Sequence, residues 1–427
     1  MTRSEGLLSA MKADREAIHQ YPEEGWTEFQ TTYYICRRLN DLGLSYKAGA
    51  ANIDREAVYG RSEEKVSAAQ RRAIAHGVPA DFIDALGGFT GVVADIDTGR
   101  PGPTTACRFD IDCVCVSESN APDHIPAKEG FASKNPGLMH ACGHDAHTAV
   151  GLAAAKWVAE NKERLCGRIR LIFQPAEEGT RGALAMTAAG VVDDVDYFIS
   201  SHVGGLAAAG DIHIFTGGFL ATSKLDISFT GTPSHAGADP EKGRSALLAA
   251  AAATMMIEGI PRHSEGVSRI SIGTLRAGEG RNVTPVHAVL EVETRGETNA
   301  VNEYLEENVR AMAKGAAEAY RVKHQVTLAG KAGTVPVCKD FVELALKTAA
   351  GIPGVGEVGL ESRPTASEDS TIFMNRVVNQ GGQAVFFGWG SKNNGHHKSD
   401  FDVEPKALAY GYEMFTRLIA ALNLPQS

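Results

Sequence analysis

Cys142 and His144 stand two residues apart in the run Met139-His140-Ala141-Cys142-Gly143-His144-Asp145, just ahead of a stretch with apolar residues at helical spacing. A thiolate and an imidazole at this spacing can close on one ion, and both are usual ligands of zinc and related metals. At this motif alone, a buried cysteine beside a helix-capping histidine explains the residues equally well. Glu177 and Glu178 close the run Leu171-Ile172-Phe173-Gln174-Pro175-Ala176. One such carboxylate can ligate metal while its neighbour serves as general base toward water. By themselves the two read as solvated loop charges. His202 follows Tyr197-Phe198-Ile199-Ser200-Ser201, and His396 and His397 lie in the polar run Gly395-His396-His397-Lys398-Ser399-Asp400-Phe401. Each histidine is either a ligand candidate or a hydrogen-bonded loop residue, and His396 and His397 are equal candidates.

Jointly the signals are stronger. Four separate loops, each after a strand-like run, offer a metal-competent group, which is what a dinuclear hydrolase site needs. Asp110 and Asp112 end a further strand-like run and are placed to orient ligands by hydrogen bonding from behind, although Asp-x-Asp is also a frequent turn. His235 stands apart in Pro233-Ser234-His235-Ala236-Gly237, where it is an oxyanion stabiliser or a plain turn residue. Gly278-Glu279-Gly280-Arg281-Asn282 lacks the lysine and helix start of a phosphate loop, which argues against a nucleotide-dependent enzyme. Cys113 and Cys115 alternate along an extended segment and read as core residues close to the site.

The elements that must position these residues alternate. Residues 6–44 and 54–87 read as helical, the latter an Arg- and Glu-rich insertion. Strand-like runs at 91–96, 105–110, 168–173 and 197–201 flank helical patterns at 144–161 and 182–189. This order predicts an α/β layer with a central, mostly parallel sheet. Residues 225–328 change character to β-α-β-β-α-β, the split arrangement of a ferredoxin-like domain. The tail returns to a strand at 385–388 and a helix at 404–422. The expected plan is therefore a domain of residues 1–219 and 332–427 with a small domain, 220–331, inserted into it.

Bulk properties agree. The chain has 427 residues, enough for two cores. Its 43% hydrophobic and 22% charged residues are those of a globular protein. A net charge of −10 offers no footprint for nucleic acid. The N-terminus lacks the apolar core of a signal peptide. The most apolar stretch, 246–257, is too short to span a bilayer, for which ~20 residues are needed. Seven cysteines without ladder-like spacing suit reduced thiols. A cytoplasmic protein without membrane or nucleic-acid partners is expected.

The motifs in combination resemble the metallo-amidohydrolase branch of the aminoacylase/carboxypeptidase family. Met139 to Asp145, Gln174-Pro175-Ala176-Glu177-Glu178-Gly179, Ser234-His235-Ala236-Gly237 and Ser367-Glu368-Asp369 carry the likeness. The resemblance implies a metallopeptidase-like catalytic domain with an inserted lid or dimerisation domain. It implies two divalent metal ions, manganese or zinc, on Cys142, His144, Glu178, His202 and His397, with Glu177 as general base. His397 is preferred because the family's ligand histidine stands four residues before a phenylalanine, here Phe401. His235 would help bind the oxyanion, across a dimer interface in a homodimer, and Asn282 would touch substrate. Further segments, among them Gly130-Phe131-Ala132-Ser133, Gly179-Thr180-Arg181-Gly182-Ala183 and the 54–87 insertion, are similar to the group that cleaves aminobenzoyl-glutamate-type amides, which implies a related second subunit. Cys113-Val114-Cys115 departs from the family's Ala-Leu after Asp112. The scaffold also resembles aminohydrolases that remove an amine from a nitroanthranilate-type ring. The expected reaction is hydrolysis of a C–N bond on a small aromatic, carboxylate-bearing substrate. Deamination of an activated arylamine and non-catalytic binding are the alternatives.

Overall fold

A computed structural model describes residues 3–205, 207–363 and 366–425. The chain divides into two compact units. The larger runs to Gly218, resumes from Val335 to Arg363 and again from Asp369. The smaller takes Phe219–Thr334 together with residues 366–368. The sequence places that last segment in the larger domain. It goes to the smaller unit because Ala366 bridges Phe219, and Leu220 N donates to its carbonyl at 2.9 Å.

The larger unit opens with α1 (Arg3–His19), α2 (Phe29–Asp41), β1 (Tyr46–Ala48), α3 (Glu63–Ala75), α4 (Ala80–Ala85), β2 (Val92–Asp97) and β3 (Thr104–Asp110). It continues through α5 (Ile125–Glu129), α6 (His144–Asn161), β4 (Arg168–Gln174), α7 (Gly182–Ala188), β5 (Tyr197–Val203) and β6 (Ile212–Phe215). The smaller unit contributes β7 (Ala221–Thr230), α8 (Ala246–Glu258), β8 (Ser268–Ala277), β9 (His287–Gly296), α9 (Asn299–Tyr320) and β10 (Lys323–Ala332). The larger unit then closes with α10 (Lys339–Ala350), β11 (Val358–Glu361), α11 (Ser370–Asn379), β12 (Gln383–Trp389) and α12 (Ala407–Asn423).

The large sheet has the order β1-β2-β4-β3-β5-β12-β6-β11. Its centre, β4, β3, β5 and β12, is parallel. The pairs β1–β2, β2–β4 and β12–β6 are antiparallel, so the sheet is mixed at its margins. After its first residue each central strand is buried throughout, as expected of strands covered on both faces. Helix α6 is buried on nearly every side. At Gly151 a Cβ would come within 2.7 Å of the Phe109 ring, so this residue lets α6 lie flat on β3.

In the smaller unit β10-β7-β9-β8 form an antiparallel sheet. Leu225, Ile227, Leu290 and Val292 of β7 and β9 share a core with α8 and α9, and along β9 buried residues alternate with more exposed ones. The element order is the expected β-α-β-β-α-β. No described helix is long and apolar enough to cross a membrane.

Candidate active site

The four parallel central strands end on the same edge of the sheet, where open α/β sheets bind ligands. β3 ends at Asp110, which pairs with Gln174 at the end of β4. His202 lies within β5, opposite Gly388 of β12. It therefore sits in the strand, not in the loop after it as the sequence suggests, and the ladder fixes its backbone. Gly143, between Cys142 and His144, has φ +89° and caps α6; a Cβ there would come within 2.4 Å of Val203. Only glycine fits, and this turn lets Cys142 and His144 face the same point.

The expected residues of the larger unit converge. Single ligand atoms of Cys142, His144 and His202 lie within 4.8 Å of one another, as do those of Cys142, Glu178 and His397, and of His144, Glu177 and Glu178. Cys142 Sγ is 3.4 Å from His202 Nε2. His202 Nδ1 contacts the Val203 carbonyl at 2.8 Å. A carbonyl only accepts, so Nδ1 carries the proton and Nε2 keeps its lone pair. His144 is held in the same sense, with Nδ1 3.0 Å from the Asp112 carbonyl and 3.1 Å from Asp112 Oδ1. Among the described residues its buried Nε2 has no hydrogen-bond partner. His397, with φ +61°, brings Nε2 to 3.2 Å from Glu178 Oε1.

The carboxylate loop is strained. Ala176 and Thr180 have φ of +52° and +61°, a conformation costing roughly 1–3 kcal/mol per residue, found mostly where function requires it. Buried Glu28 accepts from Ala176 N at 2.7 Å and Thr90 Oγ1 at 2.6 Å. Asp112 Oδ2 accepts from Glu178 N at 2.9 Å. Both anchors hold the loop that presents Glu177 and Glu178.

The electrostatics call for a cation. Burial, reinforced by Glu178, pushes the Cys142 thiol well above its ordinary range. Burial and Asp112 raise Glu28 to about 8. Against the cost of burial, Asp110 and Asp112 raise His144 well above normal, and Arg108, His144 and His147 hold Asp110 well below. Burial, with His147 and His396 alongside, keeps His202 far below its usual value. A buried protonated thiol, a neutral imidazole and a partnerless imidazole nitrogen converging on one point suit a soft divalent ion, which would deprotonate the thiol and satisfy the nitrogens. The donor set therefore fits a metal.

His235 and Asn282 lie in the smaller unit, beside each other. His235 bridges Val283, and Ala236 N donates to the Asn282 carbonyl at 3.1 Å. His235 Nδ1 accepts from Gly237 N and Ala238 N, both at 3.1 Å. The proton of the neutral ring therefore sits on Nε2, where it can be donated outward.

Several residues escape the sequence reading. His147, one turn after His144, joins Asp110 Oδ1 to Val203 N; the one-turn spacing was its signal. His396, which the sequence offers as a candidate equal to His397, accepts from Gly205 N at 3.0 Å through Nε2, and burial lowers it to about 4. Its proton is then on Nδ1, 3.4 Å from Cys142 Sγ. Arg108 reaches Asp110, Gln174 and Asp369. Nothing in the spacing signals that cluster, or Glu28. One expectation fails: Cys113 is buried, but Cys115 is exposed, with Sγ 3.7 Å from Glu24 Oε2. A bridge from Cys113 to Glu24 and one from Val114 to Met139 carry the segment outward.

This fold and this constellation define a hydrolase. Residues 106–421 match the profile of peptidase family M20/M25/M40, and the chain belongs to that family. It is 44% identical over 415 residues to one subunit of the p-aminobenzoyl-glutamate hydrolase of Escherichia coli (strain K12), covering 96% of this chain and 95% of the relative. It is 44% identical over 423 residues to the indole-3-acetyl-aspartic acid hydrolase of Enterobacter agglomerans, covering 98% and 97%. The crystal structure of the aminobenzoyl-glutamate utilization protein from Klebsiella pneumoniae is similar, with a TM-score of 0.85, 38% identity, and 99% and 98% of the chains covered.

Proposed function

We propose that the chain hydrolyses the amide between an aromatic acyl group and an acidic amino acid, an aminobenzoyl-glutamate-type substrate. Cys142, His144, Glu178, His202 and His397 would hold two divalent ions, zinc or manganese. The convergence of these donors from separate segments, with His144 Nε2 buried and without a hydrogen bond, carries the metal reading. The substrate class rests on what the relatives' names share: one hydrolyses a glutamate conjugate and one an aspartate conjugate of an aromatic acid. The proposal is completed by a homodimer and by a related second subunit, since the Escherichia coli relative is named as one subunit of its enzyme.

Bound ions would acidify water and polarise the scissile carbonyl. Glu177 takes the proton of the attacking water through its carboxylate and returns it to the leaving nitrogen. His235, with Nε2–H free to donate, stabilises the oxyanion, and Asn282 beside it positions the substrate. Asp112 holds the His144 ring from behind, and Asp110 holds the ring of His147 one turn along α6.

The test pairs metal analysis of the purified protein with assays on p-aminobenzoyl-glutamate, indole-3-acetyl-aspartate and 5-nitroanthranilate. Release of aminobenzoate is expected, and Glu177→Gln should keep its metal while kcat falls ~10²–10⁴-fold. A metal-free active protein, or Glu177→Gln with full activity, sinks the mechanism. Ammonia from 5-nitroanthranilate, without amide cleavage, moves the substrate to arylamines.

A further inference from the structure

Helix α1 carries two buried basic side chains that this chemistry does not use. Arg15 is 3% exposed and His19 fully buried, one turn apart. Arg15 Nε donates to Asp145 Oδ2 at 2.9 Å, Nη1 to the Val403 carbonyl at 2.5 Å, and Nη2 to Asp402 Oδ1 at 2.5 Å. Asp145 directly follows His144, and Asp402 and Val403 come shortly after His397. One planar guanidinium therefore ties together the two segments that deliver those histidines. His19 extends the tie to a third. Its Nδ1 shares Asp145 Oδ2 at 2.8 Å, and its Nε2 meets Glu118 Oε1 at 3.0 Å. Glu118 stands on the segment leaving Asp112 and also binds His124 Nε2 at 2.8 Å and Ser133 N at 2.5 Å.

We propose that Arg15 is a positioning residue for the metal site, setting the spacing between His144 and His397; this rests on the ligand set proposed above. Stability alone is a poor account of such a group, because a buried ion pair gives little over well-packed apolar residues. What a guanidinium fork fixes is distance and plane. Lysine, a point charge on a flexible stem, cannot span three acceptors in that plane.

The experiment uses the full chain stripped of metal, as wild type, Arg15→Lys and Asp402→Asn. Each is titrated with Zn²⁺ and with Mn²⁺ against a chromophoric chelator, with thermal unfolding of the metal-free form in parallel. Arg15→Lys should fold with a metal-free Tm near wild type, bind the ion ~10–100-fold more weakly, and recover kcat in excess metal. Asp402→Asn should show a smaller loss of the same kind. Wild-type affinity in a folded Arg15→Lys overturns the proposal. Should Arg15→Lys fail to fold, Asp402→Asn decides, since that side chain is 20% exposed and its loss leaves the other two arms; unchanged affinity there overturns it equally. Wild type that takes up neither ion defeats the ligand reading itself, an outcome distinct from a wild-type-like Arg15→Lys.

Discussion

Replacing Asp112 by asparagine separates two roles of one carboxylate. Oδ2 accepts from Glu178 N at 2.9 Å and Oδ1 faces His144 Nδ1 at 3.1 Å. Asparagine has a single oxygen. It must stay on the Glu178 N–H, because the alternative leaves a buried donor facing an NH2 group. The NH2 then meets His144 Nδ1–H, donor against donor. A ring with no other acceptor would move its proton to Nε2 and lose its lone pair for metal. Here the Asp112 carbonyl lies 3.0 Å from the same Nδ1 and still accepts that proton. The change therefore removes one charge-assisted hydrogen bond, about 1.5–3 kcal/mol, without changing the tautomer. In binding terms this is a roughly 10–100-fold loss of metal affinity, with kcat at saturating metal little changed. Chelator competition measures the affinity, and circular dichroism checks the fold. Affinity within about twofold of wild type would refute the coupling of Asp112 to the proposed ligands. A loss beyond ~10³-fold would refute the protection ascribed to the carbonyl.

Two further outcomes follow from buried charges. Arg108→Met leaves Asp110 and Asp369 without their guanidinium, which bonds them at 2.6 and 3.0 Å. Removing one member of a buried pair costs about 3–5 kcal/mol, and in a unit of this size the Tm should fall by roughly 4–8 °C; a calorimetric shift under 2 °C contradicts it. His19 gives a pH signature. Burial opposes its charge, but Asp145 and Glu118 bind it, and against Arg15 it is raised from 6.5 to about 9. Its contribution, on the order of 3 kcal/mol, is complete below pH 6.5 and is lost as pH rises through 9. Urea midpoints of metal-free wild type and His19→Gln should converge between pH 6 and 10, and parallel curves would rule the assignment out.

What the sequence disclosed follows physical rules. The central strands are legible because burial on both faces demands unbroken apolar runs, as in Leu171-Ile172-Phe173. Helix α6 is legible to its ends, since Gly143 and the apolar spacing mark its start. The marginal strands β1, β6 and β11 are not legible. They span only 3 or 4 residues, as in Tyr46–Ala48, and too few positions alternate to show a period. Helices α10 and α11 go unread in a stretch where only Ser367-Glu368-Asp369 is singled out. Glu178 and His202 are legible because each closes a strand-like run, and Cys142 and His144 because they stand two apart just ahead of a helix. Their supports are not. Arg15 and Asp145 are 130 residues apart and Arg108 and Asp369 are 261 apart, so only the folded chain reveals that the charges are paired.

The same supports explain why the proposed site needs more than its ligands. Loops ending parallel strands have freedom of their own, and ligands tethered at one end would lose entropy when they close on an ion. Here each segment has a second anchor. Glu28 and Asp112 hold the Glu177–Glu178 loop. Asp112 holds the His144 ring, while Arg15 grips Asp145 beside it and Asp402 beyond His397. Glu28, Arg15 and His19 all come from the first 41 residues of the chain. The sheet and the loops around its edge bring the donors together, and the contacts from the N-terminal segment restrict how far they can move. Substituting Arg15 by lysine should therefore weaken metal binding more than it weakens the fold.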